Sequence, residues 1–181
     1  MSNGWRPRAA VGLAATVLLA SCGGDDADGS SGFERYEEDG LAVEYPASWI
    51  VDEGREGDVR ISVHGRRDEE DLFPRLTVSR DESEFGSAAQ AGGVLAAERP
   101  FQLNDGRLVS DRKAEVHGAD GAWRVETSYK IALDRGGTVP GNAVEVIALK
   151  ADEQFILTLA GPAERIERVP VERIVGSLDL G

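Results

Sequence analysis

Two apolar segments near the carboxyl terminus constrain the fold more than any other feature of this chain. Val144 to Leu149 and Phe155 to Leu159 carry apolar residues at both odd and even positions, and the short segment Lys150–Gln154 joins them. Successive side chains of a strand point to opposite faces of a sheet, so a strand apolar on both faces must be covered on both. The pattern predicts a central β-hairpin enclosed between helices.

Alternating residues predict further strands around that hairpin. Every second residue from Trp123 to Leu133 is aromatic, aliphatic or threonine, whereas Arg124, Glu126 and Lys130 lie between them, which is typical of a strand with one buried and one wet face. Few long crossovers separate the strands, so we expect a largely antiparallel sheet. The shorter predicted strands are Leu41–Tyr45, Val59–Val63, Leu76–Val78 and, more weakly, Leu108–Val116.

Two segments supply the expected helices. Ser87 to Glu98 is rich in alanine and is followed by Pro100, although Gly92 and Gly93 in its middle each cost about 1 kcal/mol relative to alanine. Residues 163–178 place apolar side chains at near-helical spacing, and Pro170 predicts a kink or a restart of this second helix. The fold class predicted from these elements is α+β, a largely antiparallel sheet sandwiched between helices.

The amino-terminal segment has the layout of a secretory signal peptide. Arg6 and Arg8 precede an apolar stretch, Ala9 to Ala20, which is too short to span a bilayer because a spanning helix needs roughly 20 apolar residues. The sequence Leu19-Ala20-Ser21-Cys22 resembles the bacterial lipobox, in which the cysteine is acylated and becomes the first residue of the mature protein. The resemblance implies a lipoprotein signal peptide over 1–21, with acyl chains of the palmitate type on Cys22. The alternative is an ordinary cleavage site beside a coincidental cysteine.

A polar segment follows the cysteine. Residues 22–32 combine Gly, Ser and Asp and offer nothing to bury, so we expect a flexible tether that leaves 33–181 as one globular domain. Such a coil has an end-to-end distance of roughly 15–20 Å. Asp26, Asp28 and Gly29 have the beginning of a calcium-loop pattern, but the closing Glu is missing, which favours a solvated linker.

Charge and cysteine content exclude several classes of function. The formal net charge is −13, which argues against nucleic-acid binding and against purely electrostatic docking on anionic lipid. The chain has one cysteine, so it forms no internal disulfide, and no Cys/His spacing of the zinc-site kind is present.

The remaining candidate site residues have simpler interpretations than chemistry. His64 and His117 lie at strand ends beside glycine and are interpreted as solvated turn histidines, and Trp49 as a cap on the core rather than a ligand-stacking ring. Ser110 and Lys113 have the Ser-x-x-Lys spacing of penicillin-interacting enzymes, but that chemistry requires a helix where a strand is predicted. The carboxylate run Asp68-Glu69-Glu70-Asp71 suggests weak Ca²⁺ binding or, more simply, a solvated loop.

One motif near the start of the expected domain is Gly40-Leu41-Ala42-Val43-Glu44-Tyr45-Pro46-Ala47-Ser48-Trp49. It resembles the opening motif of the PsbP-like family, and in particular its actinobacterial lipoproteins of the LpqN and LpqT type. The order of the predicted strands and helices and the closing Gly176-Ser177-Leu178 support this resemblance. It implies an α/β/α sandwich and a module that is usually non-catalytic and contacts a partner.

The sequence therefore predicts a lipid-anchored, extracytoplasmic protein of the cell envelope. We expect no enzyme activity, no catalytic or metal-ligating residues and no cofactor, and a partner that is an envelope protein. The alternative is a carrier or sensor of a small apolar or lipidic ligand bound between sheet and helix.

Overall fold

The computed structural model describes residues 32–52, 57–67 and 72–181. The predicted signal peptide and lipobox with Cys22, the tether up to residue 31 and the carboxylates Asp68 to Asp71 lie outside these residues. The described elements, in chain order, are β1 (Phe33–Glu38), β2 (Leu41–Pro46), β3 (Ile50–Val51), β4 (Val59–His64), β5 (Arg75–Glu82), α1 (Ala88–Gln102), β6 (Arg107–Ala114), β7 (Gly121–Ala132), β8 (Thr138–Lys150), β9 (Glu153–Pro162), α2 (Ala163–Glu167) and α3 (Val171–Gly176).

A seven-stranded sheet organises the domain, in the order β3-β4-β5-β9-β8-β7-β6. Every pairing between neighbouring strands is antiparallel, as predicted. The predicted central hairpin is β8–β9, in which Val146 lies opposite Leu157 and both side chains are fully buried. Both faces of this hairpin are covered, which confirms the constraint that its apolar pattern imposed.

One face of the sheet, which we call the hairpin face, is covered by the separate β1–β2 hairpin and by α2 and α3. Val43 of β2 and Ile174 of α3 are completely buried against Leu76 and Leu159 of the sheet. The sequence patterns did not predict β1 as a strand, because only Phe33 and Tyr36 of its six residues are partly buried.

The opposite face, which we call the helix face, carries α1 across β6, β7 and β8. Ala88 and Ala91 of the helix pack against Ile147 and Leu149 of β8. Beyond the helix, this face presents short, half-buried polar side chains from β4, β5 and β9: Ser62, Thr77, Ser79 and Thr158.

Helix α1 differs from its prediction at the carboxyl end. Ser87 is the N-cap, and its hydroxyl oxygen accepts from the Gln90 N–H at 3.2 Å, but the helix continues through Pro100 to Gln102. A proline removes only its own donor from the hydrogen-bond ladder. The Leu103 N–H still donates to the Arg99 carbonyl at 3.1 Å, so the last turn closes around the proline.

The restart at Pro170 is confirmed. Pro170 is the N-cap of α3, and its carbonyl accepts from the N–H groups of Arg173 and Ile174 at 3.0 and 3.2 Å. The proline ends α2 and begins α3 because its fixed φ suits a helix start and its missing N–H is not needed there.

Candidate interaction surface

The described part of the chain holds no group of three or more His, Cys, Asp or Glu side chains placed to bind a metal ion. No helix among these residues is long and apolar enough to cross a membrane. The candidate residues from the sequence are therefore best examined one by one.

His64 is buried, so its interpretation as a solvated turn histidine is wrong. Its side chain is only 6% exposed, with Nδ1 2.7 Å from the Gly65 carbonyl and Nε2 3.4 Å from Asp52. The Phe73 ring lies over it at 4.8 Å, and the Gly65 N–H donates to the Pro74 carbonyl at 2.8 Å. Phe73 and Pro74 thus lie over the imidazole and its neighbour Gly65, a tertiary contact that local sequence does not encode.

His117 is solvated, as predicted, with 80% of its side chain exposed. Its Nδ1 lies 2.9 Å from Asp179 Oδ1, and this contact, followed by the Gly181 N–H, holds the pKa of Asp179 below its ordinary value. The two residues are 62 positions apart, so the pair was not predictable from spacing. It attaches the carboxyl-terminal segment to the end of the sheet.

Ser110 and Lys113 lie on β6, as the strand prediction required. Ser110 is opposite Glu126 and Lys113 is opposite Trp123 in the register with β7, so the two side chains point to opposite faces. The Ser110 hydroxyl oxygen accepts from Arg112 at 3.2 Å. This geometry separates the serine from the lysine and gives the pair no nucleophilic role.

Trp49 caps the core, which confirms its interpretation. The ring is partly buried and packs against the apolar cluster of the hairpin face. The backbone N–H of Trp49 donates to the Pro46 carbonyl at 2.9 Å, which makes the tight turn between β2 and β3.

Two buried charges were not predicted from the sequence. Glu145 on β8 is 1% exposed on the helix face, and its carboxylate accepts two hydrogen bonds from the Arg99 guanidinium of α1, one of them at 2.9 Å. On the other face, Arg124 is 7% exposed and lies 2.9 Å from both Glu126 and Glu172. The face of β7 predicted to be wet is therefore covered by α3 at Arg124. A single acid inside the apolar run 144–149 was the signal for the first pair.

Five surface depressions among the described residues are open to solvent and have volumes between about 270 and 490 Å³. One of about 350 Å³ lies beside the start of α1 and is lined in part by Phe85, Trp123 and Leu149. Both sheet faces are otherwise filled by the domain's own side chains.

Large apolar side chains are exposed at the two edges of the sheet, on β3 at one edge and on or beside β6 at the other. The strand register places the exposed residues of both edges at the same end of the strands. Ile50 of β3 lies opposite His64 of β4, which lies opposite Arg75 of β5, and Leu108 of β6 lies opposite Thr127 of β7. Phe101 lies at this end of the strands too. The Asn104 carbonyl, in the loop after α1, accepts from the Lys130 N–H near the end of β7 at 2.8 Å. The exposed fractions are 54% for Ile50, 91% for Phe101, 44% for Leu108 and 62% for Val109.

The first described residue, Gly32, lies at that same end of the strands, beside the β3 edge, and we call this end the Gly32 end. The Gly32 carbonyl accepts from the Ala47 N–H at 3.2 Å, and residue 47 lies between the end of β2 and the Ile50–His64 pairing. The turn between β1 and β2, at Asp39 and Gly40, lies at the opposite end beside Leu180. We call that opposite end the far end.

No protein-family model matches the chain, and no curated protein matches it in sequence. Solved structures do match its fold. The Saccharomyces cerevisiae Ran-binding protein Mog1p matches with a TM-score of 0.55 at 12% identity, covering 83% of this chain and 96% of Mog1p. LpqN of Mycobacterium tuberculosis, described as involved in cell envelope biogenesis, matches with a TM-score of 0.54 at 13% identity, covering 75% of this chain and 79% of LpqN.

The cyanobacterial PsbP protein CyanoP of Synechocystis sp. PCC 6803 matches with a TM-score of 0.50 at 17% identity, covering 82% of this chain and 89% of CyanoP. Identities this low establish shared architecture only. The α+β class and the resemblance inferred from the motif at residues 40–49 are confirmed at that level. The domain has the PsbP-like fold, a large antiparallel sheet enclosed by a few helices, which it shares with LpqN and Mog1p.

Proposed function

We propose that this chain is an exported lipoprotein, anchored through acyl chains on Cys22, whose domain is a non-catalytic interaction module at the cell envelope. The anchor is supported by the charged start, the short apolar stretch and the lipobox-like sequence at residues 19–22. Two or more acyl chains on one residue provide stable anchoring, since each buried CH₂ contributes about 0.8 kcal/mol.

The observation that carries the interaction role is the distribution of apolar side chains. The interior of the sheet sandwich is filled on both faces, yet Phe101, Leu108 and Val109 are exposed to solvent at the β6 edge of the sheet. Large apolar side chains left exposed together on one part of a surface mark contact sites. The names of the structural neighbours, one a Ran-binding protein and one involved in cell envelope biogenesis, are compatible with this role.

The anchor is tested by Cys22→Ser in a bacterium that processes lipoproteins. We expect the variant to lose acylation and to leave the detergent phase, because the remaining apolar stretch is too short to span. The matched control is Ser21→Ala, which keeps a small residue before the cysteine and should partition like the wild type. Intact mass of the mature protein reports the acyl chains directly, and an unmodified Cys22 in the wild type would disprove the anchor.

The partner is tested by placing a photo-reactive amino acid at Val109, which is 62% exposed on the edge strand β6 beside Leu108. We expect a discrete adduct with an envelope protein, weakened in Cys22→Ser because loss of the anchor lowers the effective concentration of the domain. A matched position on α1, Val94, tests whether the adduct is specific to one surface. Equal, diffuse labelling from both positions would contradict a dedicated protein partner.

The depression beside α1 favours a second function, a carrier of a small apolar or lipidic ligand. Its volume of about 350 Å³ and its lining by Phe85, Trp123 and Leu149 are in the range of small-molecule sites. Native mass spectrometry of the purified protein would show a retained lipid as added mass. A ligand present at 100 times its dissociation constant would raise the stability by about 2.7 kcal/mol, so an unchanged melting temperature with added lipids would exclude the carrier.

A further inference from the structure

We propose that the edge strand β6 binds an extended, acidic segment of a partner protein, which pairs with it as an additional antiparallel strand of the sheet. The acidic residues of that segment face Arg112 and Lys113. Its apolar residues follow them, opposite Leu108 and Val109. This inference rests on the proposed interaction function and deepens it, because it names the kind of segment that the domain binds.

The two edges of the seven-stranded sheet differ in length. One edge is β3, which has only two residues, Ile50 and Val51. The other edge is β6, which has eight residues and pairs with β7 on one side only. Native proteins usually shorten or cover the edges of a sheet, because an unpaired row of N–H and C=O groups is a template for another strand. The β3 edge is shortened in this way, whereas the β6 edge is long.

The outward-facing backbone of β6 is accessible. Among the described residues, no backbone hydrogen bond joins residues 107–114 to anything except β7. Six of these eight residues are exposed. Another strand can therefore reach the free N–H and C=O groups of this edge without displacing a described element.

A bulge divides β6 into two parts. The register with β7 shifts between Leu108 and Ser110, so Val109 is an extra residue without a partner on β7. Residues 110–114 then pair with β7 in unbroken order, over a length within the usual range of strands, roughly 3–10 residues. A bulge blunts an edge where it occurs, so it limits backbone pairing to this second part of β6. The first part offers apolar side chains instead.

Phe101 enlarges the apolar part. A Cβ on Gly106 would lie 2.5 Å from the Pro100 carbonyl oxygen, so the start of β6 packs against the residue that precedes Phe101. The Leu103 N–H donates to the Arg99 carbonyl at 3.1 Å and fixes the end of the helix at this point. Apolar side chains of a partner that cover this part would leave water, which favours binding.

The charges of β6 favour an acidic partner. The strand carries Arg107, Arg112 and Lys113 against a single acid, Asp111, although the whole chain has a net charge of −13. At physiological ionic strength, exposed charges more than about 8 Å apart are largely screened, so the local charge of β6 decides which segment is attracted. Opposite charges on facing residues of two strands stabilise the pairing.

A second copy of this chain fits the edge less well. Two copies paired antiparallel through residues 110–114 would place Arg112 directly opposite the same residue of the other copy. Like charges in that position destabilise strand pairing, and the net charge of −13 on each copy opposes association further. A separate acidic segment meets no such repulsion at Arg112.

The test uses the mature protein purified in detergent and the synthetic peptide Glu-Glu-Thr-Thr-Val-Val-Thr with a fluorescent label at its amino terminus. Antiparallel pairing places the glutamates opposite Lys113 and Arg112, and the valines opposite Val109 and Leu108. We expect binding measured by fluorescence anisotropy, weakened about tenfold or more when lysine replaces both glutamates. Slower amide hydrogen exchange in residues 110–114 on binding distinguishes strand pairing from contact between side chains alone.

Lys113→Glu tests the charge on the protein. Lys113 is exposed and forms no ion pair with another described residue, whereas Arg112 lies 3.0 Å from Glu126. K113E should weaken binding of the acidic peptide by about fivefold, because a facing pair of opposite charges becomes a pair of like charges. The matched control is Arg135→Glu in the exposed turn after β7, which changes the net charge equally and should leave the affinity unchanged.

Three results would overturn the proposal: no binding of the acidic peptide at millimolar concentration, equal binding of the acidic and lysine peptides, and binding without slower exchange in residues 110–114. A dimer of the peptide-free protein that protects the same amides would assign the edge to a second copy instead. The photo-reactive residue at Val109 tests the envelope partner separately. An adduct there without peptide pairing would refute only the strand pairing, and peptide pairing without an adduct would count only against the envelope partner.

Discussion

The two faces of the central sheet are stabilised in different ways. The hairpin face is closed by side chains that are individually large and apolar, such as Leu157 and Leu159 beneath Val43 and Ile174. The helix face is closed by small residues, Ala88, Ala91 and Gly92, which let α1 approach the strands closely, and by the Arg99–Glu145 ion pair.

The difference shows that the two faces of one sheet can be covered through different kinds of contact. A residue on the hairpin face is stabilised by the area that it removes from water, so its contribution follows its size. On the helix face, the stability depends on the close approach of the α1 backbone at Gly92 to the Trp123 ring and on the pairing of the buried Glu145 with Arg99. Conservative changes should therefore be tolerated on the hairpin face and costly on the helix face.

The largest expected effect is on the buried ion pair. Arg99→Met leaves the carboxylate of Glu145 buried without its partner and should lower the free energy of unfolding by about 3–5 kcal/mol, measured by chemical denaturation at pH 7. The double variant R99M/E145M should recover most of that loss, because a buried pair can be replaced by apolar residues of similar volume. A double variant as unstable as the single one would show that the pair is needed for more than its charge balance.

Neighbouring residues of β9 compare the two faces directly. Leu157 is fully buried on the hairpin face, whereas Ile156 is half-buried on the helix face. Leu157→Ala should cost about 3 kcal/mol or more, and Ile156→Ala should cost clearly less because less area is exposed by its removal. Denaturation of both variants under the same conditions measures the difference, and equal losses would contradict the assignment of the hairpin face as the main core.

The two adjacent glycines of α1 should respond in opposite directions. A Cβ on Gly92 would lie 2.1 Å from Cδ1 of Trp123, so Gly92→Ala should destabilise by about 1–3 kcal/mol through overpacking. Gly93 has no atom within 4 Å of such a Cβ, so Gly93→Ala should stabilise by about 0.5–1 kcal/mol through helix propensity. Thermal unfolding of the two variants tests the prediction, and stabilisation by both would mean that α1 does not rest on Trp123.

The smallest expected effect is a loss of stability at alkaline pH, to which one tyrosine on each face contributes. Burial raises the pKa of Tyr129 on the helix face; the Gly161 N–H lowers this pKa and the charge of Glu145 raises it. On the hairpin face, burial and the contact with Glu34 both raise the pKa of Tyr45. The folded protein then keeps a proton that the unfolded chain has lost, so stability is complete below a pH of about 10 and falls as the pH rises further. Y129F and Y45F should each flatten part of this fall in unfolding measurements at pH 9 and 11. A fall that neither variant changes would assign it to other groups.

Much of the fold was predictable because the residues concerned act locally. The apolar runs of β8 and β9, the alternation along β7 and the break at Pro170 each specify a backbone geometry through a few neighbouring side chains. The edge strands were harder to predict. Phe33–Glu38 is mostly exposed and Ile50–Val51 has only two residues, so neither leaves a periodic pattern to detect.

The candidate surface was less predictable than the fold. The histidines illustrate why, because His64 and His117 have similar local sequences, yet one is buried beneath Phe73 and the other is exposed beside Asp179. Phe101 follows a proline in the last turn of an alanine-rich helix, and sequence alone would place a phenylalanine in the core.

By itself, the sequence determined the order and kind of the central elements, the antiparallel class, the shared architecture with the PsbP-like fold and, as a prediction, the export signal with Cys22 as its acylation site. These are properties of short segments, in which periodicity, turn residues and a small motif act over a few positions. Only the tertiary structure decided which charges are buried, where His64 lies, and that Phe101 is exposed beside the edge strand β6. Those features depend on contacts between residues tens of positions apart, and such contacts exist only once the sheet has set its register.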